Sequence, residues 1–228
     1  MEIPYSYATG FSGGWGNIGN MNNKGVDLTL GFNVISTKDI TFNVSGTFNY
    51  NKNEITKLFG GRDEFVVPNT GIKYQVGKPL GEFYYTRWIG VDPATGKQLW
   101  LDKDDNVTSV YSDVDATFTG KQRYAPVAAG LQLDFAWKDL SVSANFSGIF
   151  GKWTISNTRY FIENSANAAD MNQTVAMLNM WQKPGDITTI PAAGEPIEFD
   201  THLLENASFV RLKNLQISYN LPKTWMKK

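Results

Sequence analysis

Cysteine is missing from this 228-residue chain and histidine occurs once, at His202. The first absence excludes a disulfide scaffold, thiolate metal sites and thiol catalysis, and the second leaves no histidine cluster for zinc. Charge of one sign is also scarce: 21 basic residues stand against 22 acidic ones with no long block of either, so the electrostatic footprint of a nucleic-acid binder is absent. No run of about 18 to 20 apolar residues offers a transmembrane helix, and the opening MEIPYSYATG lacks the basic and apolar regions of a signal peptide. GxSxG, HExxH and phosphate-cradling glycine motifs are missing as well. The carboxylate pairs Asp102 with Asp104 and Asp113 with Asp115 sit in loop sequence without a nucleophile or oxyanion motif. The chain reads as a non-enzyme with no cofactor.

What is present is alternation. Residues make up 42% hydrophobic and 14% aromatic types with a mean hydropathy of -0.30, a balance open to a soluble fold or to a membrane crossed by strands, whose apolar faces are diluted by polar ones. Val26, Leu28, Leu30, Phe32 and Val34 alternate with Asp27, Thr29, Gly31 and Asn33, which predicts a strand. After Ser36 to Asp39 the pattern resumes with Ile40, Phe42, Val44, Phe48 and Tyr50, making a hairpin. Leu131, Leu133, Phe135 and Trp137 form a second hairpin with Leu140, Val142, Ala144, Phe146 and Phe150 across Lys138 and Asp139, and Leu215, Ile217, Tyr219 and Leu221 give a fifth strand that stops at Pro222.

The polar faces are mostly small and uncharged, as suits a filled or watery lumen, and Tyr50, Trp137, Phe150, Trp153 and Tyr219 sit at strand ends, where an interfacial girdle places aromatics. Turns within hairpins are short and the connections between them long, the asymmetry of outer-membrane barrels. This places Ser36–Asp39 and Lys138–Asp139 on the periplasmic side. The expected fold is all-β: an antiparallel transmembrane β-barrel fragment with strands at about 23–35, 39–53, 126–137, 139–151 and 206–221 and long loops at 54–125 and 152–205. The alternative is a soluble extracellular carbohydrate-binding β-sandwich whose apolar faces pair with each other.

In the first long loop, Glu82 to Val91 reads as a strand, Asp92 to Gly96 as a turn and Lys97 to Leu101 as the return strand. Asp102, Asp104 and Asn106 have the alternate spacing with which calcium loops begin, without the glycine and distant glutamate that complete one; an Asx turn explains the same residues. In the second loop Ala168, Met171, Val175 and Leu178 recur at helical spacing within Asn164–Trp181, which predicts a short helix. Tyr84, Tyr85, Trp88, Trp100, Trp153 and Trp181, with Tyr160 and Phe161, are the candidate ligand-stacking surfaces, although loop core is the better reading for most of them. Gly10, Gly13, Gly14, Gly16 and Gly19 read as a flexible loop.

Three stretches resemble the SusC/RagA family of TonB-dependent outer-membrane receptors. GNIGNMNNKGVDLTLGFNVI (Gly16 to Ile35) with FNVSGTFNYNKNEITKL (Phe42 to Leu58) is similar to the family's N-x-G-x-x-x-N-K-G-x-E-L strand pair, with Asp27 in place of glutamate. VGKPLGEFYYTRWIGVDPATGKQLW (Val76 to Trp100) resembles its G-x-P-x-G-x-F-Y and G-x-D-P-x-T-G segments, and ENASFVRLKNLQISYNLPKTWMKK (Glu205 to Lys228) its A-S-F-x-R-L-K-N-L segment. The resemblance implies import of oligosaccharides or peptides across the outer membrane of a Gram-negative bacterium, a barrel in contact with outer-membrane lipid, a SusD-like surface lipoprotein as cap, and TonB as partner through an N-terminal plug part that this chain does not contain. Five membrane strands cannot enclose a wide lumen, so the chain is expected to be a fragment of such a receptor.

Overall fold

In a computed structural model the described residues are 2–4, 8, 10, 13–15, 19–67 and 70–222. The opening residues of the first family-like stretch, Gly16 to Ile18, and the last of the third, Lys223 to Lys228, lie outside them. Among the described residues sixteen strands run in order: β1 (Glu2–Pro4), β2 (Gly13–Trp15), β3 (Gly19–Ser36), β4 (Ile40–Leu58), β5 (Glu64–Val67), β6 (Ile72–Gln75), β7 (Glu82–Tyr85), β8 (Arg87–Val91), β9 (Gln98–Leu101), β10 (Val107–Thr108), β11 (Thr117–Gln122), β12 (Val127–Trp137), β13 (Leu140–Phe150), β14 (Trp153–Ile155), β15 (Leu204–Asn206) and β16 (Phe209–Tyr219), with one α-helix, α1 (Asn157–Ile162). The chain divides into two compact units.

One unit, residues 22–54, 124–152 and 207–228, carries the five-stranded antiparallel sheet β16-β13-β12-β4-β3. Its register puts the alternating residues in rows. Val44 faces Leu133, Leu133 faces Ala144 and Ala144 faces Leu215, while Asn43 faces Asp134, Asp134 faces Ser143 and Ser143 faces Gln216. One face is therefore apolar across the strands and the other polar. A bulge in β16 at Lys213 shifts the register between Asn145 and Phe146, so Val210 and Leu212 join Leu215, Ile217 and Tyr219 on the apolar face despite their opposite parity. β12, β13 and β16 have 11 residues each. At a rise of roughly 3.4 Å per residue and a tilt near 40°, such a strand crosses about 28 Å, the thickness of a hydrocarbon core.

The short turns stay at one end. Thr37 N–H donates to Ile40 O at 2.9 Å, Lys138 takes a positive φ of 52°, and neighbouring turns are tied by Lys138 N–H to Asp39 O at 2.8 Å and Asn220 N–H to Asp139 O at 2.9 Å. The long segments all join at the other end. The apolar face stays open: Val26, Leu28, Phe32, Ile217 and Tyr219 are each exposed to between 47% and 68%. This is the opposite of what the sandwich alternative requires, because a sandwich buries that face against a second sheet.

The other unit, residues 1–21, 55–123 and 153–206, contains a conventional core. Every buried hydrophobic side chain among the described residues belongs to it, including Phe83, Trp100, Ile197, Leu203 and Leu204. The long connections are thus folded structure. They form a four-stranded sheet β11-β7-β6-β5, a three-stranded sheet β10-β9-β8 and the pair β14-β15.

Three expectations change here. The strand expected over Glu82 to Val91 breaks at Thr86, a buried residue whose Oγ1 donates to Ser112 O at 2.8 Å and whose carbonyl accepts from Thr201 N–H. β7 then pairs with β6 and β11 while β8 pairs with β9. The helix expected within Asn164–Trp181 is replaced by two 3-10 turns, Ser165–Asn167 and Val175–Asn179; the α-helix lies upstream at Asn157–Ile162. Asn164 and Thr174 side chains accept from Ala166 N–H and Ala176 N–H, and such local bonds cap short turns in competition with a continuous helix. Val175 and Leu178 consequently stay exposed. Of the N-terminal glycines, Gly13 and Gly14 pair in β2 with β1 and Gly19 opens β3, in place of the flexible loop expected; Gly16 lies outside the described residues.

Candidate functional site

The polar face of the five-stranded sheet holds a hydrogen-bonded network: Gln132 Nε2 donates to Asp134 Oδ1 at 2.9 Å, Ser143 Oγ to the same oxygen at 2.6 Å, and Asn145 Nδ2 to Gln132 Oε1 at 2.8 Å. Asn49 bonds Asp27 in the same way. Where Ala128, Gly130 and Ser147 bring small side chains together, this face has a hollow of about 340 Å³ bordered by Asp27, Thr47 and Asn49. A face so lined suits water, polar solutes or polar protein surface.

The second unit disperses the six candidate aromatics. Tyr84 lies edge-on to Phe118, with ring centroids 5.1 Å apart and the Lys73 ammonium 5.0 Å above it. Tyr85 is buried against Phe83 at 6.1 Å, and burial raises its phenol above the ordinary range. Trp153 packs on that same Phe83, Tyr85 and Leu204 cluster under the Lys121 ammonium. Trp88 stands opposite Trp100 across β8 and β9. Trp181 donates its Nε1–H to Pro93 O at 3.0 Å and covers Gly96, whose φ is +74° and whose missing Cβ would meet the indole at 2.5 Å. The DPATG turn needs this glycine for both reasons. Buried Tyr85 and Trp100 present no free ring face; Tyr84, Trp88, Trp153 and Trp181 keep partial exposure.

Asp102 is the centre of an Asx turn. Its Oδ1 accepts from Asp104 N–H at 2.8 Å and Asn106 N–H at 2.9 Å, bonds that hold its carboxyl below the usual range. Among the described residues no three carboxylate or histidine side chains are grouped to hold a metal ion.

Sequence reasoning missed a buried polar knot around residues 200–202. Asp200, 1% exposed, caps a 3-10 turn by accepting from His202 N–H at 2.7 Å, and its other oxygen accepts from Trp100 Nε1–H at 2.6 Å. His202 stacks on Trp88 at 4.3 Å. Arg159 Nη2 lies 2.9 Å from His202 Nε2; a guanidinium only donates, so the imidazole proton sits on Nδ1. Arg159 also pairs with Glu163 at 2.8 Å. The readable signal was an aspartate two residues before the lone histidine, a helix-cap spacing.

Burial pushes Asp200 up to about 6, and burial with the nearby Arg159 charge pushes His202 down to about 4. The two act oppositely on stability. A raised acid contributes stability below its unfolded value of 3.8 that is lost as pH rises through 6, whereas a depressed histidine contributes stability above 6.5 that is lost as pH falls through 4. Between about pH 4 and 6 they offset each other. Relative to wild type, Asp200→Asn is expected to gain unfolding midpoint as pH rises across this window and His202→Gln to lose it, in urea titrations followed by tryptophan fluorescence. Slopes of the same sign for both variants would contradict this assignment.

A single antiparallel sheet with an open apolar face, a polar face, short turns at one end and long connections joining at the other is a section of a transmembrane β-barrel wall. Among the described residues no helix is long and apolar enough to cross a membrane, which says nothing of strands. No family model matches the chain. It is 27% identical over 93% of its length to TonB-dependent receptor P3 of Formosa agariphila and 23% identical over 92% to TonB-dependent receptor SusC of Bacteroides thetaiotaomicron. It spans 23% and 21% of those relatives, about a quarter or less of their length. Among solved structures, the RagAB peptide transporter matches with a TM-score of 0.89 at 42% identity, covering 97% of this chain and 25% of that one. The RagAB peptide importer in its closed-closed state matches equally well, at 0.89 and 42%, over 100% of this chain and 26% of that one. Over nearly its whole length the chain is similar to a section of the SusC-type TonB-dependent receptors and of the RagAB transporter.

Proposed function

We propose that the chain is one section of an outer-membrane nutrient-uptake transporter of a Gram-negative bacterium, importing an oligosaccharide or a peptide with energy passed through TonB. The observation that carries the reading is the five-stranded sheet itself. Its apolar face is exposed and its two edge strands, β3 and β16, each lack a neighbour on one side among the described residues. Water disfavours so wide an apolar face and hydrocarbon does not tolerate an unpaired strand edge, so such a sheet requires lipid on one side and further strands at both edges. The 42% identity to a protein titled a peptide importer favours a peptide as the cargo. In this reading the folded loops form part of the extracellular mouth, where a SusD-like surface lipoprotein meets the barrel, and the partly exposed Tyr84, Trp88, Trp153 and Trp181 are the ring faces open to cargo or lipoprotein. TonB contacts a part of the receptor beyond this stretch.

The test is expression of the full reading frame with its flanking sequence, outer-membrane fractionation and a heat-modifiability gel. A heat-modifiable species in the outer-membrane fraction is expected. A soluble, monomeric 25.5 kDa product that binds sugar would sink the reading.

A further inference from the structure

The apolar face of the five-stranded sheet changes character at the end where the long segments join. Gly25 lies against Tyr50 and Asn51, Gly31 against Ser45, and Asn49 bonds Asp27. These contacts set Lys24 opposite Lys52, one step beyond Val26 and Tyr50 and on their face. Val127 links Tyr50 to Phe150 in the adjoining row, and Lys152 follows two residues later. A row of aliphatic and aromatic groups is thus succeeded by lysines.

Two ammonium groups directly opposite on neighbouring strands repel. The local relief is slight: Lys52 Nζ has Glu54 at 3.8 Å, an exposed pair of small worth, and Lys24 makes no ion pair among the described residues. The other end of the sheet differs. There Lys38 is followed by Asp39 and Lys138 by Asp139, and the Lys138 ammonium lies over the Trp137 ring at 5.8 Å. Lys24 and Lys52 thus stand directly opposite each other at the long-loop end, beside Tyr50 in the row that continues through Val127 to Phe150, the level at which aromatic side chains meet lipid headgroups. A phosphate between Lys24 and Lys52 turns their repulsion into two charge-assisted hydrogen bonds, while the lysine stems lie along apolar surface.

We propose that Lys24 and Lys52 form a clasp for the anionic phosphate of a lipid headgroup in the leaflet at the long-loop end. The clasp rests on the reading of this face as lipid-facing. It fixes the height of the wall in the bilayer, because the aromatic row and the phosphate contacts act at adjacent levels.

The test uses the full-length receptor in phosphatidylcholine nanodiscs doped with diphosphoryl lipid A or with its dephosphorylated form, and counts lipid retained on the released protein by native mass spectrometry. Wild type is expected to retain the phosphorylated lipid at least about fivefold better, near the effect of one basic residue at a charged surface. K24Q/K52Q should lose that preference and K38Q/K138Q should keep it. Equal retention of the two lipids by wild type, or an undiminished preference in K24Q/K52Q, overturns the clasp. Heat-modifiability of the same preparations separates the two levels: a folded barrel without the preference overturns the clasp alone, and the absence of a folded barrel overturns the membrane reading beneath it.

Discussion

Replacing Val44 by arginine should prevent or strongly weaken folding of the barrel, while the same replacement at the preceding residue, Asn43, should be tolerated. Val44 lies mid-strand on the apolar face, opposite Leu133 in a row that continues through Ala144 to Leu215. An arginine there must be drawn into hydrocarbon at a cost of about 2 to 4 kcal/mol near the midplane. Asn43 points to the polar face, opposite Asp134, where a guanidinium finds a carboxylate and water. Urea unfolding of the full-length receptor in lipid vesicles measures both. Equal losses for the two variants would mean that the faces do not differ in their surroundings, and the barrel-wall assignment would fail with that result.

The second large effect concerns the folded loops. Asp200→Ala removes the acceptor for two donors, the buried Trp100 Nε1–H and the part-buried His202 N–H. An unsatisfied buried donor costs roughly 1 to 3 kcal/mol, so the variant should lose about 2 to 5 kcal/mol of local stability. The loss should be local to this unit, because Asp200, Trp100 and His202 all belong to it. Hydrogen exchange followed by peptide mass analysis should show faster exchange over β8, β9 and residues 199–206, with β12 and β13 unchanged. Unchanged protection in β8 and β9 would show that the carboxylate is dispensable to the knot.

These two predictions draw on different kinds of information. The first was legible in the amino-acid order, since Val44 and Asn43 differ in parity along a strand and parity assigns the face. The second was not. Asp200 and Trp100 are a hundred positions apart, and nothing local to either residue announces the other. The same holds for Arg159, whose guanidinium meets the His202 ring 43 positions away. The six aromatics singled out in the loops illustrate the limit. Their chemistry suited stacking on ligand, yet Tyr85 and Trp100 are sealed in the core and Trp181 covers a glycine turn.

Strand positions, face assignments and the short hairpin turns were determined by sequence alone, because side chains alternate with a period of two and a membrane or lumen selects on each face independently. The family resemblance was carried by spaced motifs, two of them on those strands and the third, Val76 to Trp100, in the first long connection. Tertiary structure decided what periodicity cannot encode. The bulge at Lys213 keeps Val210 and Leu212 on the face of Leu215 although their parity differs, the break at Thr86 sends β7 and β8 into separate sheets, and the helix expected at Asn164–Trp181 yields to capped 3-10 turns. In each case a hydrogen bond or a partner distant in sequence outweighs local preference by more than the small energies that preference supplies.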